Sequence, residues 1–119
     1  MRDHTKLRAF ELGDEVAVLI YRVTAGFPRK ESYGLTSQMW RAAVSVPSNI
    51  VEGCARDSEA GYLRFLHIAF GSLRELHYQL GLSKRLGFLN SQGSSLLESK
   101  IVETEKVLNG LIQALREGS

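Results

Sequence analysis

Three histidines and one cysteine are the side chains of this sequence that most readily bind metals or act as nucleophiles. They are His4, His67, His77 and Cys54. A zinc or di-iron site in a helical protein needs its ligands on one helix face. His67 and His77 are ten residues apart, which places them about 80° from each other around a helix. This spacing predicts no metal site, and His77, which lies among apolar positions, is expected to be a packed, hydrogen-bonded histidine.

The single cysteine gives little support to catalysis. Cys54 falls on the apolar side of a predicted helix, where a cysteine packs as a small hydrophobic residue. A nucleophilic thiolate needs a pKa lowered by a nearby cation, and Arg56 is the one such residue close in sequence. One cysteine cannot form an internal disulfide, which is typical of a reducing, cytoplasmic setting. Phosphate-binding glycine loops and nucleophile-elbow motifs are missing from the sequence, so we predict a protein that is not an enzyme and needs no cofactor.

Length and composition fit one globular domain over residues 1–119. The chain has a mass of 13.3 kDa, with 44% hydrophobic and 24% charged residues, a balance that excludes a disordered or collagen-like chain. Fifteen basic residues against thirteen acidic ones leave a net charge of +2. The N-terminus is polar, and the longest apolar run, residues 16–21, is far shorter than the ~20 residues that cross a bilayer. We expect a soluble intracellular protein without a signal peptide or a membrane contact.

Apolar residues recur every three or four positions along most of the chain, which predicts four helices. The predicted helices span residues 5–26, 36–56, 57 or 58 to 86, and 95–117. Thr36 is expected to cap the second helix, a capping box of Ser95 and Glu98 to begin the fourth, and Gly87 to end the third. Helices of this length joined by short loops favour an all-α, up-down-up-down antiparallel four-helix bundle.

Pro47 lies inside the second predicted helix. A proline there removes one backbone hydrogen bond and clashes with the carbonyl of Ala43, at a cost of about 3 kcal/mol if nothing relieves it. Either the helix kinks at Pro47, or Ser45 caps a new helix with Pro47 in its first turn. The apolar positions stay in phase across the proline, which favours a kink.

The second helix also carries a narrow strip of small and hydrogen-bonding side chains, flanked by apolar positions. This polar strip consists of Gln38, Arg41, Ser45, Ser48, Asn49 and Glu52. The third helix carries Ser72, Glu75 and Gln79 at a similar spacing. Arg41 and Glu52 are therefore expected to pair with the third helix across an internal polar seam, or to lie in a subunit contact. A plain solvent-exposed face is the alternative.

The third helix has a basic side that is punctuated by small and aromatic residues. This side comprises Arg64, His67, Gly71, Arg74 and Tyr78, followed by Lys84 and Arg85. It can contact phosphates, with Tyr78 available for stacking, although a solvated face with Glu75 as a local counter-charge is the alternative. The candidate contacts for nucleic acid or a partner protein are Arg41, Arg56, Arg64, Arg74, Lys84 and Arg85.

Gly71 is an unfavourable residue inside this helix, since it costs about 1 kcal/mol relative to alanine. A close helix crossing would explain it.

Four strings in the sequence resemble one bacterial protein family. They are Phe27-Pro28 with Glu31, residues 33–38 (YGLTSQ), residues 41–53 (RAAVSVPSNIVEG) and residues 69–76 (AFGSLREL). From about residue 7 to residue 89, the chain resembles the four-helix bundle proteins of the 23S rRNA-intervening-sequence family, sometimes labelled S23 ribosomal proteins. The string SVPSNIVEG is the most specific of these similarities.

The resemblance implies a four-helix bundle that assembles into a homopentamer. Similar proteins are accessory subunits of diversity-generating retroelements, in which a basic pentamer engages a reverse transcriptase and nucleic acid. RNA, DNA or a reverse-transcriptase-like protein are therefore the implied partners. In such a ring, Gln38, Arg41, Asn49 and Glu52 are expected to make contacts between or within subunits. The family often has two adjacent arginines after the glutamine of the second helix, where this chain has Trp40 and Arg41.

Two functions remain open on these residues. The first is a non-enzymatic homo-oligomer that binds nucleic acid or a nucleic-acid-processing enzyme through its basic side chains. The second is a purely structural or protein-partner scaffold, which the near balance of charge and the interleaved acids Glu52, Glu59, Glu75 and Glu98 favour. A metal or thiol enzyme has the least support.

Overall fold

Four long helices make up most of the computed structural model, which describes residues 2–118. The helices are α1 (Arg8–Thr24), α2 (Leu35–Cys54), α3 (Glu59–Arg85) and α4 (Ser91–Gly118), with short 3-10 turns at His4–Lys6 and Arg29–Glu31. Each helix packs against the next along the chain, and α4 returns to pack against α1. Within residues 2–118 there is no β-strand. The predicted all-α four-helix bundle is confirmed.

One continuous apolar core joins the four helices. The side chains that are completely buried come from every helix and include Val16, Ile20, Met39, Ile50, Leu66, Leu73, Leu76, Ile101 and Leu108. Within each helix these residues recur at three- or four-residue steps, so that they form one stripe facing the bundle axis. The apolar periodicity of the sequence therefore identifies the buried side of each helix.

The boundaries of α3 agree with the sequence because local signals set them. Ser58 is the N-cap, and its hydroxyl accepts a hydrogen bond from Gly61 N–H at 3.0 Å. Gly87, just past the C-terminus, has a φ of 80°, a left-handed conformation that glycine adopts without steric cost.

The predicted starts of α2 and α4 are both wrong. α4 begins one turn before the expected Ser95, since the side chain of Asn90 accepts from Gly93 N–H at 2.6 Å and caps the helix there. Thr36 lies inside α2 and is buried, while the N-cap position belongs to Gly34. Asparagine and serine are both good N-caps, so local preference did not distinguish the two possible starts of α4.

Helix α2 runs without a break from Leu35 to Cys54 with Pro47 inside it, which rules out a new helix starting at Ser45. Helix α1 lies close to α2 at this point. A Cβ atom on Gly13 would be 3.0 Å from Val46 Cγ1 and 3.8 Å from the backbone nitrogen of Pro47. The missing side chain of Gly13 therefore allows α1 to approach α2 beside the proline, and a bend at Pro47 stays a prediction.

The close helix crossing that the sequence predicts at Gly71 is also wrong. Gly71 is exposed, and a Cβ atom there would meet nothing within 4 Å. The close contact between α2 and α3 occurs at Gly53, where a Cβ atom would be 3.1 Å from Phe65 Cβ and 3.3 Å from the carbonyl oxygen of Tyr62. Gly71 points away from the bundle because it lies on the opposite side of α3 from the apolar stripe.

The N-terminal segment crosses the C-terminal end of α2. Arg2 N–H donates to the carbonyl of Cys54 at 3.2 Å, and Arg2 Nη1 donates to the carbonyl of Arg56 at 3.0 Å. The Arg2 guanidinium also lies 4.1 Å from the centre of the Tyr62 ring. These contacts pair carbonyl groups that a helix C-terminus leaves without intrahelical donors, and they cover both Cys54 and Tyr62.

Tyr62 makes the stability of the bundle depend on pH in the alkaline range. Burial raises the pKa of Tyr62 to about 12, and the neighbouring Cys54 adds to the increase. Because the pKa of an unfolded tyrosine is about 10, the stabilisation is present below pH 10 and is lost as pH rises from about 10 towards 12. We expect the free energy of unfolding to fall by about 2 kcal/mol more in the native protein than in Tyr62→Phe between about pH 8 and pH 11.5. Urea denaturation of both proteins across this pH range measures the difference. The same dependence of unfolding free energy on pH in the two proteins would contradict it.

Candidate nucleic-acid and partner interface

The structure brings part of the polar strip together between α2 and α3. Ser45 Oγ lies 2.7 Å from Ser72 Oγ, and Asn49 Nδ2 donates to both the Oγ and the carbonyl oxygen of Ser45 at 2.8 Å. Ser45 and Asn49 share one face of α2 because they are four residues apart. All three side chains are half-buried. They form a hydrogen-bonded link between the two helices just beside the core.

The other members of the polar strip do not cross to α3. Glu52 pairs with Arg56 one turn later in the chain, at 3.7 Å. Arg41 is exposed and has no carboxylate within 4 Å among residues 2–118. The predicted pairing of Arg41 and Glu52 across the seam is therefore wrong, because both side chains lie on the outer edge of α2. Gln38, Ser48 and Glu75 are also exposed.

Helix α2 presents an outer face with little charge. We define this face by the exposed residues Arg41, Val44, Ser48 and Val51, of which Val44 is 40% and Val51 36% exposed. Ile68, an exposed apolar residue of the neighbouring helix α3, is 42% exposed. Arg41 is the single charge among these four residues, and the exposed Glu52 lies on the same side of α2 as Arg41.

Three of the six candidate cations are already paired with carboxylates. The pairs are Arg56 with Glu52 at 3.7 Å, Arg74 with Glu105 at 2.9 Å and Lys84 with Glu98 at 4.0 Å. Arg41, Arg64 and Arg85 are exposed, and none of them has a carboxylate within 4 Å in the described part of the chain. Arg56, Arg74 and Lys84 are therefore paired within the chain, whereas Arg41, Arg64 and Arg85 remain available to bind a partner.

A buried carboxylate that the sequence analysis missed organises the contact between α3 and α4. The side chain of Glu105 is 11% exposed and accepts from Arg74 Nη1 at 2.9 Å and from His77 Nδ1 at 3.0 Å. His77 Nε2 also lies 3.9 Å from Glu98. The expectation of a packed, hydrogen-bonded His77 is confirmed. A signal for Glu105 exists in the sequence, since residue 105 lies on the apolar stripe between Ile101 and Leu108.

The described chain also limits the chemistry of the site. No group of three or more histidine, cysteine, aspartate or glutamate side chains within residues 2–118 is placed to hold a metal ion. Cys54 is buried, and this burial raises the pKa of its thiol, which disfavours the nucleophilic thiolate at neutral pH. Over the same residues, none of the helices has a segment long and apolar enough to cross a membrane.

The fold and these surfaces define an antiparallel four-helix bundle protein with a weakly charged outer face on α2 and unpaired arginines on α2 and α3. The family model for 23S rRNA-intervening sequence proteins matches residues 5–110. The chain belongs to this family, as the resemblance of its sequence motifs indicates.

A solved structure from the same family has the same fold. The chain is similar to a protein of unknown function from the S23 ribosomal protein family of Bacteroides thetaiotaomicron VPI-5482, with a TM-score of 0.80 and 22% sequence identity. The similarity covers 88% of this chain and 95% of the other. At this identity the comparison establishes the shared fold. No curated protein is significantly similar to the chain.

Proposed function

We propose that this protein is a non-enzymatic, cytoplasmic homo-oligomer that binds nucleic acid, or an enzyme acting on nucleic acid, through the outer side of α3. The observation that carries the proposal is the exposure of Arg64 and Arg85 without carboxylate partners. The two arginines lie about 30 Å apart along the helix, and the exposed Tyr78 lies between them on the same side. A long helix with cations at both ends can follow a phosphate backbone.

The side chains between these arginines suit a nucleic-acid partner. Guanidinium groups bind phosphates in a bidentate manner, and an exposed tyrosine ring can stack on a base. Tyr78 is 62% exposed. Gly71 leaves open space on the same side of α3, so that a phosphate backbone can approach the helix closely there.

The oligomer is proposed to assemble through the outer face of α2. Val44 and Val51 expose apolar surface there, and Ile68 is a further exposed apolar residue on α3; self-association would cover surface of this kind. Ser48 and Arg41 supply small and polar groups at the same face. The number of five subunits rests on the family resemblance, and the buried free thiol of Cys54 suits a reducing cytoplasm.

Binding to a structured RNA or a duplex DNA should depend on salt and on the two unpaired arginines of α3. We expect Arg64→Ala/Arg85→Ala to weaken affinity at least about tenfold near physiological salt and to reduce the log–log salt slope by about 1.4–1.8, because two phosphate contacts are lost. The control variant Lys6→Ala/Lys106→Ala removes the same charge from other exposed positions. Fluorescence anisotropy at low and near-physiological salt measures both quantities. Equal losses in the two double variants would contradict this surface.

The alternative function is a purely structural or protein-partner scaffold. The observation that favours it is that Arg56, Arg74 and Lys84 are each paired with a carboxylate of the same chain. Absence of binding at either salt concentration, by protein freed of co-purifying nucleic acid, would decide for the scaffold.

A further inference from the structure

The turn between α1 and α2 and the turn between α3 and α4 meet at one end of the bundle. The rings of Phe27 and Phe88, one from each turn, lie 5.5 Å apart. Ser83 Oγ, near the end of α3, donates to the sulfur of Met39 near the start of α2 at 3.3 Å. The two turns therefore form one surface, although they are far apart in the chain.

This end of the bundle carries an excess of positive charge. Residues 22–37 and 82–95 contain one acidic residue, Glu31, whose carboxylate already accepts from Leu35 N–H at 3.3 Å. The first turns of α2 and α4, which begin here, hold no acidic residue. The same two segments contain five basic residues, which are Arg22, Arg29, Lys30, Lys84 and Arg85.

Most of these cations are not neutralised within the chain. Lys84 lies 4.0 Å from Glu98, while the other four have no carboxylate within 4 Å in the described residues 2–118. At the opposite end of the bundle the charges are mixed, with acidic residues at positions 3, 52, 57 and 59 and basic ones at positions 6, 8 and 56. The concentration of unpaired positive charge is therefore a property of one end.

A tyrosine stands out from the same surface. Tyr33 follows Arg29 and Lys30 in the α1–α2 turn and is fully exposed, at 101%, so its ring contributes nothing to the core. Aromatic rings among cations are typical of surfaces that bind single-stranded nucleic acid, because the cations contact phosphates while the ring stacks on a base. We define the basic end by four exposed residues, which are Arg29, Lys30, Tyr33 and Arg85.

We propose that the basic end binds unpaired bases of a nucleic acid whose backbone follows the outer side of α3. This inference rests on the proposed function, because Arg85 belongs to both surfaces and makes them continuous. A strand that leaves α3 at Arg85 meets Arg29 and Lys30 on the neighbouring turn.

The exposed ring determines which nucleic acid fits this surface. Inside a duplex both faces of every base are covered by neighbouring bases, so Tyr33 needs a base that has been released from the stack. The favoured ligand is therefore a duplex that adjoins a single-stranded segment. An acidic polypeptide would match the charge of Arg29 and Lys30, but it offers no base to the ring.

Two DNA duplexes with the same length and identical ends test the proposal against the full chain. One duplex is intact, and the other has a short internal gap in one strand, which leaves the opposite bases unpaired. The gap removes phosphates, so charge alone predicts weaker binding of the gapped duplex. We expect the gapped duplex to bind at least about fivefold more tightly, because stacking on Tyr33 adds to the phosphate contacts. Fluorescence anisotropy near physiological salt measures both affinities.

Variants of the α1–α2 turn separate stacking from charge. Tyr33→Ala should abolish the preference for the gapped duplex and leave the affinity for the intact duplex unchanged, whereas Tyr33→Phe, which keeps a ring, should retain the preference. Arg29→Gln/Lys30→Gln should reduce the log–log salt slope for the gapped duplex by about 1.4, as expected for two contacts with a single strand. Lys6→Gln/Lys106→Gln is the matched control, since it removes the same charge from exposed positions outside the basic end.

The outcomes distinguish this inference from the proposed function. Equal affinity for the two duplexes, or a preference that survives Tyr33→Ala, would overturn the inference and leave binding along α3 intact. Equal effects of the two double variants would overturn it as well. Poly-glutamate that binds as tightly as the gapped duplex would identify an acidic polypeptide as the ligand and also overturn it. Absence of binding to either duplex would overturn both proposals.

Discussion

Gly53→Ala should destabilise the bundle and Gly71→Ala should stabilise it, although both replace a helical glycine with the best helix former. At Gly53 the new methyl group would lie 3.1 Å from Phe65 Cβ, 3.2 Å from Tyr62 Cδ1 and 3.3 Å from the Tyr62 carbonyl oxygen. Overpacking of this kind costs about 1–3 kcal/mol, while the gain in helix propensity is about 1 kcal/mol. At Gly71 the methyl group meets nothing within 4 Å.

We therefore expect the free energy of unfolding to fall by up to about 2 kcal/mol in Gly53→Ala and to rise by about 0.5–1 kcal/mol in Gly71→Ala. Chemical denaturation followed by circular dichroism measures both values. The protein concentration must be the same for all variants, because the proposed self-association would make apparent stability depend on concentration. Equal destabilisation by the two alanines would contradict the assignment of the close α2–α3 contact to Gly53.

Val51→Glu should dissociate the oligomer that we propose. Val51 lies on the outer face of α2 and is 36% exposed in the single chain, so a glutamate is tolerated by the fold of one subunit. In an interface the same carboxylate would be buried without a partner, which costs several kcal/mol. We expect the dissociation constant to rise at least about a hundredfold, while the helical content stays unchanged.

Light scattering coupled to size-exclusion chromatography measures this effect at micromolar protein. The native chain should have a mass several times 13.3 kDa, with a fivefold mass for the proposed pentamer. Leu96→Glu is the matched control, because Leu96 is an apolar residue of α4 that is 63% exposed and lies outside the outer face of α2. A monomeric native protein, or dissociation by Leu96→Glu but not by Val51→Glu, would contradict the proposed interface.

The ion pairs of the bundle concentrate on α4. Arg8 pairs with Glu103 at 2.7 Å, Lys100 with Glu15 at 2.9 Å, and Arg74 with Glu105 at 2.9 Å. The first two pairs are solvent-exposed and contribute little stability, whereas the Glu105 carboxylate of the third pair is largely buried. Their larger consequence is that they neutralise the cations near α4, which leaves positive charge on the outer side of α3 and at the α1–α2 turn. The proposed nucleic-acid surface lies in the first of these regions.

Helix positions were predictable where only one residue nearby was suited to begin or end the helix. Apolar periodicity located all four helices, and Ser58 and Gly87 marked the ends of α3 correctly. The start of α4 was not predictable in this way, since Asn90 and Ser95 are both good caps and the residues between them are compatible with a helix. At α2 the cap comes from the Glu31 side chain of the preceding turn, a contribution that depends on how the turn folds back.

The candidate site was predictable in its residue types but only partly in its contacts. Ser45 and Ser72 were both assigned to the predicted polar seam but not to each other, and the structure joins them by a hydrogen bond. The pairing of Arg74 with Glu105 was not expected, although a glutamate on the apolar stripe of α4 was a visible signal. The role of Gly53 was missed because a glycine near a helix end has a local explanation that requires no neighbour.

The sequence alone determined the four helices, the inward side of each and the family, because periodicity and motifs are properties of neighbouring residues. Only the tertiary structure decided which arginines remain unpaired and which glycine permits a close contact. Those properties depend on residues far apart in the chain, such as Ser45 and Ser72 at a separation of 27 or Arg74 and Glu105 at 31. Periodicity gives the side of a helix that faces inward but not its axial register against its neighbours, and that register places one side chain opposite another.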